Sequence, residues 1–340
     1  MSLTEIARPQ QHFTLGLLAM DGCILSSLTG PMDILRVAQK LAEVRDPATT
    51  LRLQTVLVGA RGQATVSGTG GLSIGPVQPP VATPDLLLVP GFMHSSADDL
   101  LERLRGYGPE IELLRAMHLR GVPLAGSCCG TFLLAEAGLL DGREATSSWW
   151  LHAAFRKRYP RVKVDIERMV VEDGNITTTG ASTAVLSYVL QLLARHVDPA
   201  LAQHTGRMML IDPDRQSQAP YISLALTERP RHSLSEKAEH FLQKELHREL
   251  SIGELAEACG TSERSLLRHF RQHYGNSPLG HIQHLRVERA KALLETTLLS
   301  FDEIVEHCGY SDSSSFRKLF KRATSLTPAD YRERFRLRAA

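Results

Sequence analysis

An α/β unit built on a parallel sheet, followed by an all-helical unit, is the fold class that this 340-residue sequence predicts. Three observations carry the expectation. From Phe13 to about Gly180, short β-rich runs alternate with helical segments, and strand–helix alternation with short connections favours a parallel sheet covered on both faces. Beyond about residue 235 the pattern is helical throughout, and one helical phrase occurs twice. The chain is also too long for one ordinary core, so two domains are the natural expectation.

Taken in order, strands are expected at residues 13–19, 51–58, 86–89 and 123–126, with helices at 31–44, 97–119 and 131–137. "VKVDIERMVVEDGNITTTG" departs from the alternation: strand, Asp-Gly-Asn turn, strand is a hairpin signal. Helices follow at 182–195 and 199–209. The segment "DPDRQSQAPYISLALTERPRHSLS" is Pro-, Ser- and charge-rich without sustained periodicity, and it reads as a linker. The expected division is therefore an α/β domain at 12–210, a linker at 211–234 and a helical domain at 235–335.

In the helical part, "LSIGELAEACGTSERSLLRHFRQHYGNSP" aligns with "LSFDEIVEHCGYSDSSSFRKLFKRATSLTP". Each copy is a helix, a Cys-Gly turn and a second helix bearing basic residues, which makes a tandem helix-turn-helix. Gly260 and Gly309 fall where a tight turn needs positive φ or close backbone approach. Ser262 and Asp312 can cap the second helices. Leu266 and Phe270, like Phe316 and Phe320, are spaced i, i+4 and face inward. That leaves Arg264, Leu267, Arg268 and Arg271 outward on one helix, and Ser313, Ser314, Arg317, Lys318 and Lys321 outward on the other. An arginine on a helix can read guanine in the major groove, and serine can bond several base edges. A solvated helix face would look the same in a single copy; two copies joined by "PLGHIQHLRVERAKALLETT" favour DNA.

Charge adds little. Residues 231–340 carry 18 Lys and Arg against 15 Asp and Glu, while the remainder is net −1, so nucleic-acid binding is permitted and not established. Five cysteines without metal-ligand spacing suit a reducing cytoplasm, and no metal or other cofactor is expected. No apolar run approaches the ~18 residues of a membrane span, and the first residues lack the features of a secretion signal.

The helical unit resembles the AraC/XylS family of transcription regulators through "LSIGELAEACGTSERSLLRHFR", "LRVERAKALLETT", "LSFDEIVEHCGYSDSSSFRKLFKR" and "SLTPADYRERF". The resemblance matches Arg264, Leu267 and Arg268 to base-facing positions of the first recognition helix, and Ser313, Ser314, Arg317 and Lys318 to those of the second. One departure is "ATSLTP", where the family usually has Gly before Ser-Pro; the cost expected is a little turn stability.

In the first unit, "AGSCCGTFLLAEAGLLDGREATSSWW", "LTGPMDIL" and "LLLVPGF" resemble the ThiJ/PfpI family of the class I glutamine amidotransferase-like superfamily, which implies a flavodoxin-like sheet. The two resemblances together give the layout of GlxA/FtrA-like transcription regulators. In the enzymes of the family a cysteine at the strand-to-helix elbow is activated by a histidine and flanked by a carboxylate, since an unassisted thiol near pKa ~8.5 is mostly protonated at neutral pH. The elbow residue here is Cys128. The carboxylate position holds Ser27, and the two histidine positions hold Cys129 and Ser148. His94, His118 and His152 remain as candidate bases, with His94 best placed after the Pro90-Gly91 loop, and Phe92 stands where a second glycine is usual, putting a ring at the mouth.

What remains reads as a binding site of Ser27, Phe92, His94, Ser127, Cys128, Cys129, Ser148 and Trp149. Backbone N–H groups around Cys129 favour an anionic group. Trp149 and Trp150 could wall a pocket for a cationic one or simply pack in the core. The expectation is a DNA-binding regulator, an activator, whose non-catalytic first domain senses an amino acid or amine derivative. Double-stranded DNA, RNA polymerase, a small-molecule effector and a second copy of the chain are its expected partners. A working cysteine hydrolase or hydratase with a DNA-binding tail, and a Cys128-Cys129 redox sensor, are the alternatives.

Overall fold

A strand with sheet neighbours on both sides and helices on both faces has no polar side to show, and β5 (Leu86–Val89) and β6 (Leu124–Ser127) are buried at every residue. The computed structural model describes residues 12–80, 83–212, 215–223 and 233–336. Its contacts divide the chain between Gln218 and Ala219.

The first unit runs β1 (His12–Ala19), α1 (Ser26–Arg45), β2 (Arg52–Gly59), a small ribbon of β3 (Val66–Ser67) and β4 (Ser73–Ile74), then β5. Next come α2 (Ala97–Leu104), α3 (Gly108–Leu119), β6, α4 (Thr131–Glu136), β7 (Glu144–Ala145), α5 (His152–Arg158) and β8 (Lys163–Val164). A hairpin of β9 (Val170–Asp173) and β10 (Ile176–Thr179) precedes α6 (Ala184–His196) and α7 (Pro199–Met208). The main sheet has the order β2-β1-β5-β6-β10-β9, parallel except for the β9–β10 pair. It is the flavodoxin-like α/β sheet expected, and it brings the carboxyl ends of β5, β6 and β10 together, where ligands sit in open α/β sheets.

Two differences from the sequence reading have local causes. The helix expected over 97–119 breaks at Arg105–Tyr107, and α3 restarts with Pro109 in its first turn, where a missing N–H costs nothing. The first helix starts at Ser26, with Pro31 inside it rather than near its start.

The second unit holds α8 (Ser233–Glu245), α9 (Ile252–Ala258), α10 (Glu263–His273), α11 (Pro278–Thr296), α12 (Phe301–His307), α13 (Ser313–Thr324) and α14 (Pro328–Phe335). Two cores form, one per repeat. The first gathers Leu242, Leu255, Leu266, Phe270 and Ile282; the second gathers Val287, Leu294, Ile304, Phe316, Phe320 and Tyr331. α11 supplies residues to both, and its 19 residues span about 28 Å. Gly260 and Gly309 do take positive φ, at 65° and 71°. At Gly309 a Cβ would also land 2.8 Å from the carbonyls of Leu246 and Arg248. Ser262 accepts from the Ser265 N–H, and Asp312 from the N–H groups of Ser314 and Ser315.

The segment read as a linker is not loose where it is described. Residues 215–218 lie along residues 167–169, with Gln218 N–H donating to the Glu167 carbonyl at 2.8 Å and Met169 N–H to Gln216 at 3.2 Å. Ala219 and Pro220 are buried in the second unit, where Tyr221 meets Phe335 edge-on at 5.1 Å and Lys291 donates to the Ile222 carbonyl. Residues 213–214 and 224–232 lie outside the described residues. Among the described residues no helix is long and apolar enough to cross a membrane.

Candidate functional site

Strand β6 ends in Ser127, and the next residue, Cys128, takes a left-handed φ of 56° that a non-glycine residue adopts only at a cost. The chain then turns through Gly130 into α4. A Cβ on Gly130 would sit 2.5 Å from the Pro90 carbonyl oxygen, so the elbow can press against the Pro90–Phe92 loop only with glycine there.

Cys128 is 2% exposed. Its sulfur lies 2.8 Å from the Ser148 hydroxyl, its N–H donates to the Gly180 carbonyl at 3.1 Å, and its own carbonyl accepts from the Ser147 hydroxyl at 3.0 Å. The pKa of Cys128 is lowered to about 7: the neighbouring Cys129 side chain, the Ser148 hydroxyl and the N–H groups of Cys129 and Ser182 together outweigh burial. Cys129 moves the other way, well above an ordinary thiol, through burial and the neighbouring charge. Its sulfur accepts from Phe92 N–H at 3.2 Å and lies 3.3 Å from the Phe92 carbonyl.

The geometry brings together Cys128, Cys129, Ser148 and the backbone of Phe92. It does not bring a base to the sulfur. Among the described residues, no histidine or carboxylate hydrogen-bonds Cys128. The His94 ring is 3.0 Å from the Phe92 carbonyl through Nδ1. His118 sits on α3, and His152 opens α5 with a pKa pushed down to about 4, chiefly by burial. Phe92 corrects the sequence reading: its ring is fully buried, edge-on to Tyr107 at 5.1 Å, so its backbone faces Cys129 and no ring guards a mouth. Trp149 is 6% exposed and crosses Trp150 at 5.2 Å in a T-shape, so neither ring presents an open face across the other.

Among its described residues, the same unit holds three buried hydroxyls without a partner. Ser27, Ser127 and Thr179 are fully buried, and their oxygens have no hydrogen-bond partner among the described residues. Ser127 and Thr179 face each other across the β6–β10 register. Each such group costs about 1–3 kcal/mol when left unpaired.

One residue of the site was missed by sequence reasoning. Gln218, 2% exposed, accepts from Ala181 N–H at 3.1 Å through Oε1. Its Nε2 lies 3.1 Å from both the Thr146 hydroxyl and the Ser147 carbonyl, and 3.2 Å from the Arg168 carbonyl. Nothing in its Ser- and Pro-rich surroundings signals this.

In the second unit, Arg264, Leu267, Arg268 and Arg271 are exposed on α10 and, with Gln272, line one open groove of ≈ 510 Å³. On α13, Ser314, Arg317, Lys318 and Lys321 are exposed. Ser313 is only partly so, because its hydroxyl donates to Asp302 at 2.6 Å, which makes it an α12–α13 tie before it is a base reader. The Arg317 guanidinium lies over the Phe301 ring at 4.6 Å, which restrains a long side chain in advance. Among the described residues no cluster of His, Cys, Asp and Glu could hold a metal ion.

Comparison with known proteins matches residues 17–195 to the DJ-1/PfpI family and residues 255–334 to a helix-turn-helix domain. The chain belongs to the DJ-1/PfpI family. Its helix-turn-helix unit is of the AraC type, and several relatives are named transcriptional regulators. The HTH-type transcriptional regulator CdhR of Pseudomonas aeruginosa is 32% identical over 241 residues, covering 70% of this chain and 71% of the relative. GbdR of the same species, also named an HTH-type transcriptional regulator, is 26% identical over 94% of this chain and 84% of its own. GlxA of Rhizobium meliloti, named likewise, is 31% identical over 65% of this chain and 68% of its own. This DJ-1/PfpI protein is a transcriptional regulator with a DNA-binding helix-turn-helix unit.

Proposed function

We propose that the DJ-1/PfpI domain is a non-catalytic sensor for a small polar metabolite, and that its occupancy sets how the helix-turn-helix unit, within residues 235–335, engages DNA. The observation that supports it is the elbow itself. Among the described residues Cys128 meets the Ser148 hydroxyl and no histidine or carboxylate, while Ser127 beside it and the register partner Thr179 keep buried hydroxyls without a partner. A carboxylate or other anionic group on an amino acid or amine derivative has donors to use there. Base reading falls to Arg264, Leu267, Arg268 and Arg271 on α10 and to Ser314, Arg317, Lys318 and Lys321 on α13, with Ser313 in a supporting place. The protein works in the cytoplasm as a homodimer that activates transcription through contact with RNA polymerase.

Thermal shift against amino acids, betaines and polyamines tests the sensor reading, because a binder at 100 times its Kd stabilises by about 2.7 kcal/mol. The shift should vanish in Ser27→Leu, which replaces a buried hydroxyl with a larger apolar side chain; a shift that survives unchanged places the ligand elsewhere.

The lowered pKa of Cys128 favours a second reading, a cysteine hydrolase or hydratase that needs no base to form its thiolate. Such an enzyme still has to protonate a leaving group, and among the described residues no histidine hydrogen-bonds the sulfur. Turnover that depends on Cys128 would establish this reading over the first.

A further inference from the structure

Gln218 stands at two junctions at once. In space it joins the segments that build the elbow: it holds the Ser147 carbonyl and the Thr146 hydroxyl on one side and the Ala181 N–H on the other. Those segments touch Cys128 directly, through the hydroxyls of Ser147 and Ser148 and the carbonyl of Gly180. The fit is tight, since a Cβ on Gly180 would fall 2.5 Å from both ends of the Gln218 amide. In sequence it lies beyond the 17–195 family match and is the last residue before the DNA-binding unit. Ala219 and Pro220, which follow at once, are buried.

We infer that Gln218 is the positioning residue of the elbow site, and that an occupant of the elbow acts on the DNA-binding unit through it. This rests on the sensor reading above. The chain of contacts is short. A group bound at the Cys128 sulfur displaces the Ser148 hydroxyl 2.8 Å away and with it the Ser147 peptide, whose carbonyl Gln218 holds at 3.1 Å. The donor chemistry allows little slack. The Thr146 hydroxyl spends its proton on the Arg168 carbonyl at 2.8 Å, so it can only accept from Gln218, and the amide's two protons are already divided among three acceptors. A buried network satisfied this fully shifts as a unit. The next residues then receive the shift through the backbone, with Pro220 restricting the dihedral that could absorb it.

The test uses the full chain and methyl methanethiosulfonate as the elbow probe. The Cys128 thiolate attacks the sulfenyl sulfur, an S–S bond forms, the S–SO2 bond breaks and methanesulfinate leaves; dithiothreitol reverses it. Affinity is measured on a DNA selected from a randomised pool by the unmodified protein, with modification of Cys128 confirmed by peptide mass. Modification should change the affinity of the native sequence by about fivefold or more, reversibly, and should leave Cys128→Ser unmoved. Gln218→Met keeps the side-chain volume without its hydrogen bonds and should bring the ratio of modified to unmodified affinity close to one. Thr146→Val should do the same from the other end of the bond, with Thr146→Ser restoring the response, and this pair carries the test if Gln218→Met does not fold. A purely packing role for Gln218 would lower the melting temperature and leave the ratio intact. If Gln218→Met and Thr146→Val both respond like the native sequence, the inference is overturned and the sensor reading stands. If the native sequence does not respond, the sensor reading fails and the inference falls with it.

Discussion

The Ser148 hydroxyl and the Cys128 sulfur lie 2.8 Å apart, inside a region where both residues are buried. A hydroxyl in that place stabilises a thiolate and cannot take a proton from a substrate. The arrangement therefore separates two properties that a cysteine enzyme combines, an ionised sulfur and a proton shuttle.

Assays for amidase, glyoxalase and isonitrile hydratase activity should give rates equal to those of a Cys128→Ser control. Ser148→Ala should meanwhile raise the Cys128 pKa from about 7, by about one unit for one lost donor. The thiolate absorbance followed through a pH titration reads this directly, because Cys23, Cys129, Cys259 and Cys308 are all shifted upward and stay out of the window. An unmoved titration in Ser148→Ala would mean that the hydroxyl accepts from a neutral thiol.

His152 makes stability depend on pH in a way that involves no ligand. Burial pushes its pKa from 6.5 down to about 4, and its Nδ1 has no partner among the described residues. The unfolded chain thus binds a proton that the folded one refuses, so stability falls as pH drops from about 6.5 toward 4 and is flat above. The loss expected is about 2 kcal/mol, below the full linkage value because the residue is not sealed from water. His152→Gln should flatten the melting temperature across that window relative to the native sequence; a parallel pair of curves would show that the ring is solvated.

How much of this was legible depended on the range of the interaction. Leu266, Phe270, Phe316 and Phe320 were readable as core because the i, i+4 spacing that sets an inward face is local to one helix, and the 3.6-residue period reports it directly. The turn glycines and the caps Ser262 and Asp312 were readable for the same reason. Cys128 could be located because a strand, a small-residue turn and a helix are contiguous in sequence. Gln218 could not, since its partners Ala181 and Thr146 are 37 and 72 residues away and the bonds form only after the sheet has assembled. Phe92 failed differently. Its position beside the elbow was right, but the strand-end twist that turns its ring toward Tyr107 is set by the packed core, not by its neighbours in sequence.

Arg268 and Lys321 should separate specificity from affinity. Both are exposed on second helices of the repeats, and Arg268 lines the open groove on α10. Arg268→Ala should cost about 1–3 kcal/mol on the cognate site and relax preference at one base pair, as loss of a bidentate guanine contact does. Lys321→Ala should weaken all sequences alike and reduce the salt slope by about one, as loss of a phosphate contact does. Binding measured on cognate and random DNA at several salt concentrations distinguishes them; identical behaviour of the two variants would mean that α10 does not read bases through Arg268.

The two repeats carry their own control for backbone strain. Each second helix ends in a turn that leads to Pro278 or Pro328, and the turn needs a left-handed residue. The first repeat supplies Gly275 at φ 76°, but the second places Ser325 at φ 60°. An L-residue with a Cβ pays about 1 kcal/mol for that conformation, which glycine avoids. Ser325 is exposed, and its N–H caps α13 through the Lys321 carbonyl, so replacing it removes no side-chain partner and keeps the backbone bond. Against the gain stands the greater freedom of glycine in the unfolded chain, worth about 0.4–1 kcal/mol in the other direction. Strain relief should prevail by a few tenths of a kcal/mol, up to about 0.6 kcal/mol, because the φ constraint applies at full strength in the folded state only. Ser325→Gly should therefore raise the unfolding midpoint of the helical unit in urea without changing its slope, and Gly275→Ser should lower it. A decrease for Ser325→Gly would show that unfolded-state entropy outweighs the strain at this turn.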